Sequence, residues 1–84
     1  MTSLTVIILT YNEELHLERC IRSIQSVAER IVIVDSYSTD RTLEIAQTLG
    51  AEIFQNPFVH QAQQFQWALD NIPIASEWVM RMDA

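Results

Sequence analysis

The segment from Ile31 to Asp40 constrains the fold of this chain more than any other. Four β-branched residues stand in an unbroken run and are followed at once by carboxylates and hydroxyls. Such a run predicts a strand buried on both faces, which is typical of a parallel sheet. Asp35 comes directly after this strand, at the sheet edge where open α/β folds bind their ligands. The sequence Ser38-Thr39-Asp40 then predicts the cap of a helix that begins near Arg41.

The rest of the chain repeats this alternation of strand and helix. Further strands are predicted over 4–9, 51–54 and 77–82, and helices over about 13–27, 40–49 and 60–71. Gly50 stands where a left-handed helix C-cap is expected. The predicted inward faces of the first and third helices are Leu17, Cys20, Ile21, Ile24, Val27 and Ala28, and Ala62, Phe65, Leu69 and Ile72. The order βαβαβαβ predicts an α/β fold with a mostly parallel, Rossmann-like sheet and helices on both faces.

Composition narrows the class of protein. The 84 residues allow one small domain. A net charge of −6 argues against nucleic acid as a partner, because binding phosphates requires a basic surface. A single cysteine, Cys20, fits a reducing compartment, and the apolar segment 4–9 is too short to span a bilayer, so a cytoplasmic location is expected. Because the chain stops directly after a strand-like run, we expect it to be a truncated fragment of a longer protein.

Polar groups follow three of the four predicted strands. They are Thr10-Tyr11-Asn12-Glu13 after the first strand, Asp35-Ser36 after the second and Asp83 after the fourth. In a parallel sheet these strand ends lie along one edge, so the side chains are expected to form a ligand cleft. A dinucleotide site is excluded, because it requires a glycine-rich turn after the first strand and this turn has no glycine. A phosphate-bearing ligand can instead be neutralised by a divalent metal on carboxylates, for which Asp83 is placed.

Three segments together resemble the inverting family-two glycosyltransferases, which have the GT-A fold and use nucleotide-diphospho-sugars. The segments are Val6-Ile7-Ile8-Leu9-Thr10-Tyr11-Asn12-Glu13, Ile33-Val34-Asp35-Ser36-Tyr37-Ser38-Thr39-Asp40-Arg41-Thr42 and Trp78-Val79-Met80-Arg81-Met82-Asp83-Ala84. The resemblance covers essentially the whole chain. It implies that residues 1–84 are the N-terminal, nucleotide-sugar-binding part of such an enzyme. An Asp followed by Ser, as at Asp35, resembles bacterial members that build lipopolysaccharide or capsule.

The resemblance also implies roles for individual residues. Thr10 and Tyr11 match the segment that holds the base and ribose, and Asp35 matches an acid beside the base. Ser36 stands where many members have a second acid that contacts uracil. Asp83 matches the first acid of an Asp-x-Asp motif, which binds the ribose and a Mg²⁺ or Mn²⁺ that bridges the diphosphate. On the third predicted helix, Gln66 matches an Asn that faces the diphosphate in family members.

The resulting prediction is a metal-dependent glycosyltransferase that moves a sugar from a UDP-sugar to a glycan or lipid-linked acceptor with inversion. The general base is expected beyond residue 84, so the fragment itself is expected to be inactive. The full-length enzyme is expected in the cytoplasm, where it can also associate with the inner face of the membrane. Two alternatives remain: a nucleotidyltransferase of related architecture, which usually has a glycine-rich loop, and a non-catalytic α/β fragment that self-associates through its exposed last strand.

Overall fold

The computed structural model describes residues 3–57 and 60–83. Four strands and three helices alternate along these residues. The elements are β1 (Leu4–Thr10), α1 (Leu17–Ile24), β2 (Arg30–Asp35), α2 (Thr42–Thr48), β3 (Glu52–Gln55), α3 (Gln61–Asn71) and β4 (Trp78–Asp83). The predicted βαβαβαβ order is confirmed.

The strands form one parallel sheet in the order β3-β2-β1-β4. The first strand of the chain is therefore central and pairs with both β2 and β4. Its residues Val6, Ile7 and Ile8 have no exposed surface, as expected for a strand covered on both faces. Burial of each such side chain stabilises the fold by about 1.5–3 kcal/mol.

Helices cover both faces of the sheet, as predicted. On one face, α1 and α2 pack through Leu17, Ile21, Ile24 and Ala46 against the even-numbered residues of β1. On the other face, α3 packs through Ala68 and Ile72 against the odd-numbered ones. None of the helices in the described part of the chain is both long enough and apolar enough to cross a membrane.

The first helix is shorter than its apolar pattern predicts. The carbonyl of Glu13 accepts hydrogen bonds from the amides of His16 and Leu17, so the chain makes a tight turn before α1 begins. After Ile24 the amides of Val27 and Ala28 both bond to its carbonyl, which ends the helix in another turn. The prediction that Val27 faces the core is wrong, because this turn leaves the side chain exposed.

The inward face of α3 also differs from the prediction. The buried residues are Gln64, Ala68 and Ile72, whereas Ala62 and Leu69 are exposed. Of the predicted inward residues, Ile72 is buried and Phe65 packs half-buried against the core, but the apolar pattern passed over the polar residue at position 64. Gln64 is buried because its amide groups find partners, as described below.

Helix α2 ends as its sequence predicts. Gly50 has a positive φ of 81°, a conformation that disfavours other residues. The amide of Gly50 bonds to the carbonyl of Gln47 and the amide of Ala51 to that of Ala46, the pair of bonds that defines a Schellman cap. The chain can therefore turn directly from α2 into β3.

Candidate functional site

The carboxyl ends of β1, β2 and β4 bring the predicted polar residues to one edge. Thr10 lies beside Asp35 in the register of β1 with β2, and Leu9 lies beside Asp83 in that of β1 with β4. Between these ends lies a depression of about 260 Å³. It is lined by Leu9, Thr10, Tyr11, Glu13, Ser36, Gln61 and Asp83. Five of the eight residues predicted from the sequence therefore line a single surface: Thr10, Tyr11, Glu13, Ser36 and Asp83.

Asp35 lies beneath this depression and not on its surface. The residue has no exposed area, and its carboxylate accepts hydrogen bonds from the Thr10 hydroxyl at 2.8 Å and from the Ser38 amide at 2.8 Å. It also accepts one from the Ser38 hydroxyl. The resemblance implies that Asp35 lies beside the base. Its enclosed position changes the role we expect, because the carboxylate instead fixes Thr10 and Ser38, and Ser36 is the residue exposed to a ligand.

The loop that follows β2 holds the loop that follows β1. The Ser38 hydroxyl accepts a hydrogen bond from the Asn12 amide at 2.9 Å, and the Thr42 hydroxyl accepts one from the Glu13 amide at 2.8 Å. Asp40 accepts a further bond from the Glu14 amide at 3.2 Å. These side chains thus satisfy backbone donors across the gap between two strands, which keeps the loop carrying Tyr11 and Glu13 in place.

Asp40 also serves the start of α2, one residue earlier than a standard N-cap. The structure places Arg41 at the cap position, and Asp40 accepts hydrogen bonds from the Thr42 amide at 2.9 Å and from the Thr42 hydroxyl. Desolvation tends to raise the pKa of this carboxyl, but the bonds from Thr42 and Glu14 outweigh it and hold the pKa below its usual value.

Asn12, another predicted site residue, cross-links the two loops. Its side-chain oxygen accepts a hydrogen bond from the Thr39 amide at 2.8 Å. Its backbone has a positive φ of 51°, which Asn tolerates better than most residues. Asn12 therefore holds the loop, whereas the adjacent Tyr11 exposes 58% of its surface and can pack against a planar ligand.

The structure does not bring Gln66 to this edge. Its side chain lies on the exposed face of α3 and donates to Asp70 at 2.9 Å. Two other glutamines of the helix do reach the edge: Gln61 lines the depression, and Gln64 bonds to Ser36. The signal that could have identified Gln64 is its spacing of four and eight residues from Ala68 and Ile72, both on the buried face.

Two carboxylates give the depression a negative character. Glu13 and Asp83 both line it. Burial is the largest cause of the raised pKa of the nearby Cys20 thiol, and the charges of Asp83 and Glu13 raise it further. No group of three or more His, Cys, Asp or Glu within residues 3–57 and 60–83 is arranged to hold a metal ion. A pair of carboxylates nevertheless fits Mg²⁺, which is commonly held by one or two carboxylates together with substrate phosphates.

A second depression lies at the opposite edge of the sheet, near the amino ends of β1 and β2. Arg30, its cation, is already engaged: it forms an ion pair with Glu52 and donates to the carbonyl of Pro73. In parallel α/β sheets, ligands bind at the carboxyl ends of the strands. The depression beside Thr10 and Asp83 is therefore the better candidate.

Comparisons with known proteins identify relatives of this chain. Residues 5–84 match the family model of glycosyl transferase family 2. An uncharacterized glycosyltransferase of Rickettsia typhi is 33% identical over 84 residues, which are 100% of this chain and 28% of the relative. The lipopolysaccharide core biosynthesis glycosyltransferase LpsC of Rhizobium meliloti is 36% identical over 86 residues, covering 96% of this chain and 31% of the relative. The chain thus spans less than a third of the length of either curated relative.

Solved structures share the fold. Glucosyl-3-phosphoglycerate synthase from Mycobacterium tuberculosis, crystallised with Mn²⁺, UDP and glucosyl-3-phosphoglycerate, matches with a TM-score of 0.81 at 22% identity. The match covers 98% of this chain and 33% of the synthase chain. The GT-A fold implied by the sequence motifs is confirmed. Because the family model spans nearly all of the chain, this chain belongs to glycosyl transferase family 2.

Proposed function

We propose that this chain is the donor-binding part of an enzyme that transfers a sugar from a nucleotide-diphospho-sugar, with UDP as the nucleotide. The observation that carries the proposal is the convergence of Thr10, Tyr11, Ser36, Glu13 and Asp83 on one depression at the carboxyl edge of the sheet. It combines an exposed aromatic ring, hydroxyls and carboxylates, the groups that a base, a ribose and a metal-bound diphosphate require. The synthase that shares this fold was crystallised with UDP and Mn²⁺, which supports the choice of nucleotide.

Each wall of the depression has a distinct part in this proposal. Tyr11 packs against the base, and the hydroxyls of Thr10 and Ser36 contact its polar atoms. Asp83, together with Glu13, would hold Mg²⁺ or Mn²⁺. When bound, the metal ion neutralises the diphosphate, which makes it a better leaving group. Without that ion the two carboxylates repel a diphosphate, so donor binding is expected to depend on it.

We propose that the acceptor binds to a part of the enzyme outside residues 1–84. We propose a glycan or lipid-linked acceptor of lipopolysaccharide type, which the similarity to LpsC supports. The acceptor hydroxyl, deprotonated by a general base outside residues 1–84, would displace the nucleoside diphosphate with inversion at the sugar. A lipid-linked acceptor would bring the enzyme to the inner face of the membrane.

Titration with UDP, followed by amide NMR shifts in the presence and absence of Mg²⁺, tests the donor site. We expect shifts at Tyr11 and Ser36 that grow in the presence of Mg²⁺. Replacing Mg²⁺ with paramagnetic Mn²⁺ should broaden signals near Glu13 and Asp83. Shifts confined to another surface, or none at all, would contradict the proposal.

Asp83→Asn isolates the contribution of the metal. It removes a charge from the rim of the depression without changing its shape. We expect UDP affinity in Mg²⁺ to fall roughly tenfold, or ~1.4 kcal/mol. Asp70→Asn, the same change on the exposed face of α3, is the matched control and should leave affinity unchanged. Equal effects of the two variants would remove Asp83 from the site.

A further inference from the structure

Gln64 is a buried polar side chain whose bonds lead to the site. Only 2% of its surface is exposed. Its side-chain nitrogen donates to the Ser36 hydroxyl at 3.1 Å and to the Asn56 carbonyl at 3.1 Å, and its oxygen accepts from the Asn56 side-chain nitrogen at 2.9 Å. The residue therefore ties α3 to the loops after β2 and β3.

The direction of these hydrogen bonds is fixed by backbone groups. A carbonyl only accepts, so the nitrogen of the Gln64 amide must face the Asn56 carbonyl. The Asn56 side-chain nitrogen likewise faces the carbonyl of Pro57 at 3.3 Å. Reversing either amide would set two acceptors against each other. The nitrogen of Gln64 is thus the atom that meets Ser36, and Ser36 must accept.

This arrangement leaves the proton of the Ser36 hydroxyl uncommitted. Among the described residues the hydroxyl makes no second hydrogen bond, and Ser36 lines the depression. We infer that Gln64 is a positioning residue that holds the Ser36 hydroxyl as a hydrogen-bond donor to the nucleobase of the donor. The inference rests on the proposed function, since it requires a base at this edge.

The neighbouring hydroxyl, that of Thr10, offers a ligand its oxygen and not its proton. Thr10 donates its proton to the carboxylate of Asp35 at 2.8 Å, so its oxygen presents lone pairs. The Ser36 amide bonds to the Thr10 carbonyl at 3.0 Å, which keeps the two residues side by side. A donor beside an acceptor complements the imide edge of uracil, which presents a carbonyl next to an N–H. Cytosine presents an acceptor nitrogen and an amino group there, so UDP should bind more tightly than CDP.

A double-mutant cycle tests whether Gln64 acts through Ser36. The ratio of the CDP and UDP dissociation constants is measured by NMR titration for the wild-type chain, Gln64→Met, Ser36→Ala and the double variant. Each single change should reduce this ratio by about three- to tenfold, the range for one hydrogen bond. The double variant should reduce the ratio no further than a single variant does, because Gln64 is inferred to act only through the orientation of the Ser36 hydroxyl. If Gln64 had only a structural role, the effects of Gln64→Met and Ser36→Ala on the ratio would add in the double variant. That result would overturn the inference.

Gln66→Met is the matched control, since it makes the same change on the exposed face of the same helix. It should keep the wild-type ratio.

A measurement on the wild-type chain covers the case in which Gln64→Met does not fold. The Gln64 side-chain amide signals should shift on binding UDP but not pyrophosphate, which has no base, and unchanged signals with UDP overturn the inference. Absence of UDP binding overturns the proposed function as well, whereas UDP binding with an additive cycle overturns only the role of Gln64.

Discussion

The carboxylate of Asp35 joins the two loops that form the site. It is fully buried and accepts hydrogen bonds from Thr10 at the end of β1 and from Ser38 on the loop after β2. Ser38 in turn accepts from Asn12, so one side chain organises both walls of the depression. Asp35 therefore positions Thr10, which lines the depression, and Ser38, which holds the loop after β1.

Asp35→Asn should destabilise the fold by about 1–3 kcal/mol, because it sets an amide nitrogen against donors that need an acceptor. Urea denaturation measures the change. Asp70→Asn, on the exposed face of α3, should alter the unfolding free energy by less than about 0.5 kcal/mol. If the two variants were equally stable, the hydrogen bonds of Asp35 would not contribute to the fold.

At the residue scale the sequence predicts positions better than roles. The place of Asp35 at the end of a buried strand follows from its neighbours along the chain. Its enclosure does not, because that depends on Thr10 and Ser38, which approach only after the strands pair. Gln64 was missed for a similar reason: its burial depends on Asn56 and Ser36, which lie on two other loops.

An ion pair joins the amino ends of β2 and β3, at the edge of the sheet away from the candidate site. Arg30 donates to both carboxylate oxygens of Glu52, and this hydrogen bonding is the main reason that the pKa of Glu52 is lowered. The ionised form is therefore favoured in the folded state. Stability from the pair is present above the ordinary glutamate pKa of about 4.3 and is lost as the pH falls through the lower folded value.

Glu52→Gln should make the decline in stability below about pH 4.3 less steep, because position 52 then has no carboxylate to be protonated. At neutral pH the loss should be small, about 0.2–1 kcal/mol, since half of the Glu52 side chain is solvent-exposed. Thermal unfolding across pH 3–7 measures both effects. When Arg30 is already replaced by Met, Glu52→Gln should no longer change how stability falls at acid pH. If it still does, the carboxylate of Glu52 is stabilised by another partner.

At the element scale, the existence and type of every helix and strand followed from the apolar pattern. The ends of α1 did not, because they are set by Glu13 and Ile24, whose carbonyls close turns that no side-chain pattern reports. The predicted inward face of α3 was only partly right: Ile72 and Phe65 pack on the core, but the buried amide of Gln64 is invisible to an argument based on apolar residues. Both errors arise where backbone or side-chain hydrogen bonding outweighs hydrophobic periodicity.

At the scale of the whole molecule, the strand order separates early from late contacts. The pairing of β1 with β2 joins Thr5 to Arg30, whereas that of β1 with β4 joins Leu4 to Trp78, a much longer loop. Closing a longer loop costs more entropy before any contact forms. The order β3-β2-β1-β4 could not be deduced from the alternating pattern, since that pattern fits several parallel sheets.

We expect β1 and β2 to pair in the folding transition state and β4 to join afterwards. Ile33→Val, in the core of β2, should therefore slow folding, whereas Val79→Ala, in β4, should mainly speed unfolding. Stopped-flow rates across urea concentrations separate the two. A larger effect of Val79→Ala on the folding rate would show that β4 is already paired in the transition state.

The central position of β1 also has a consequence during synthesis on the ribosome. Its edge on the β4 side stays open until roughly 50 further residues follow β2, which takes ~2–10 s at common translation rates. Throughout that interval an apolar strand presents unpaired backbone groups, the arrangement that favours pairing with another chain. A nascent chain of this topology is therefore expected to be most prone to pairing with other chains before its own last strand is available.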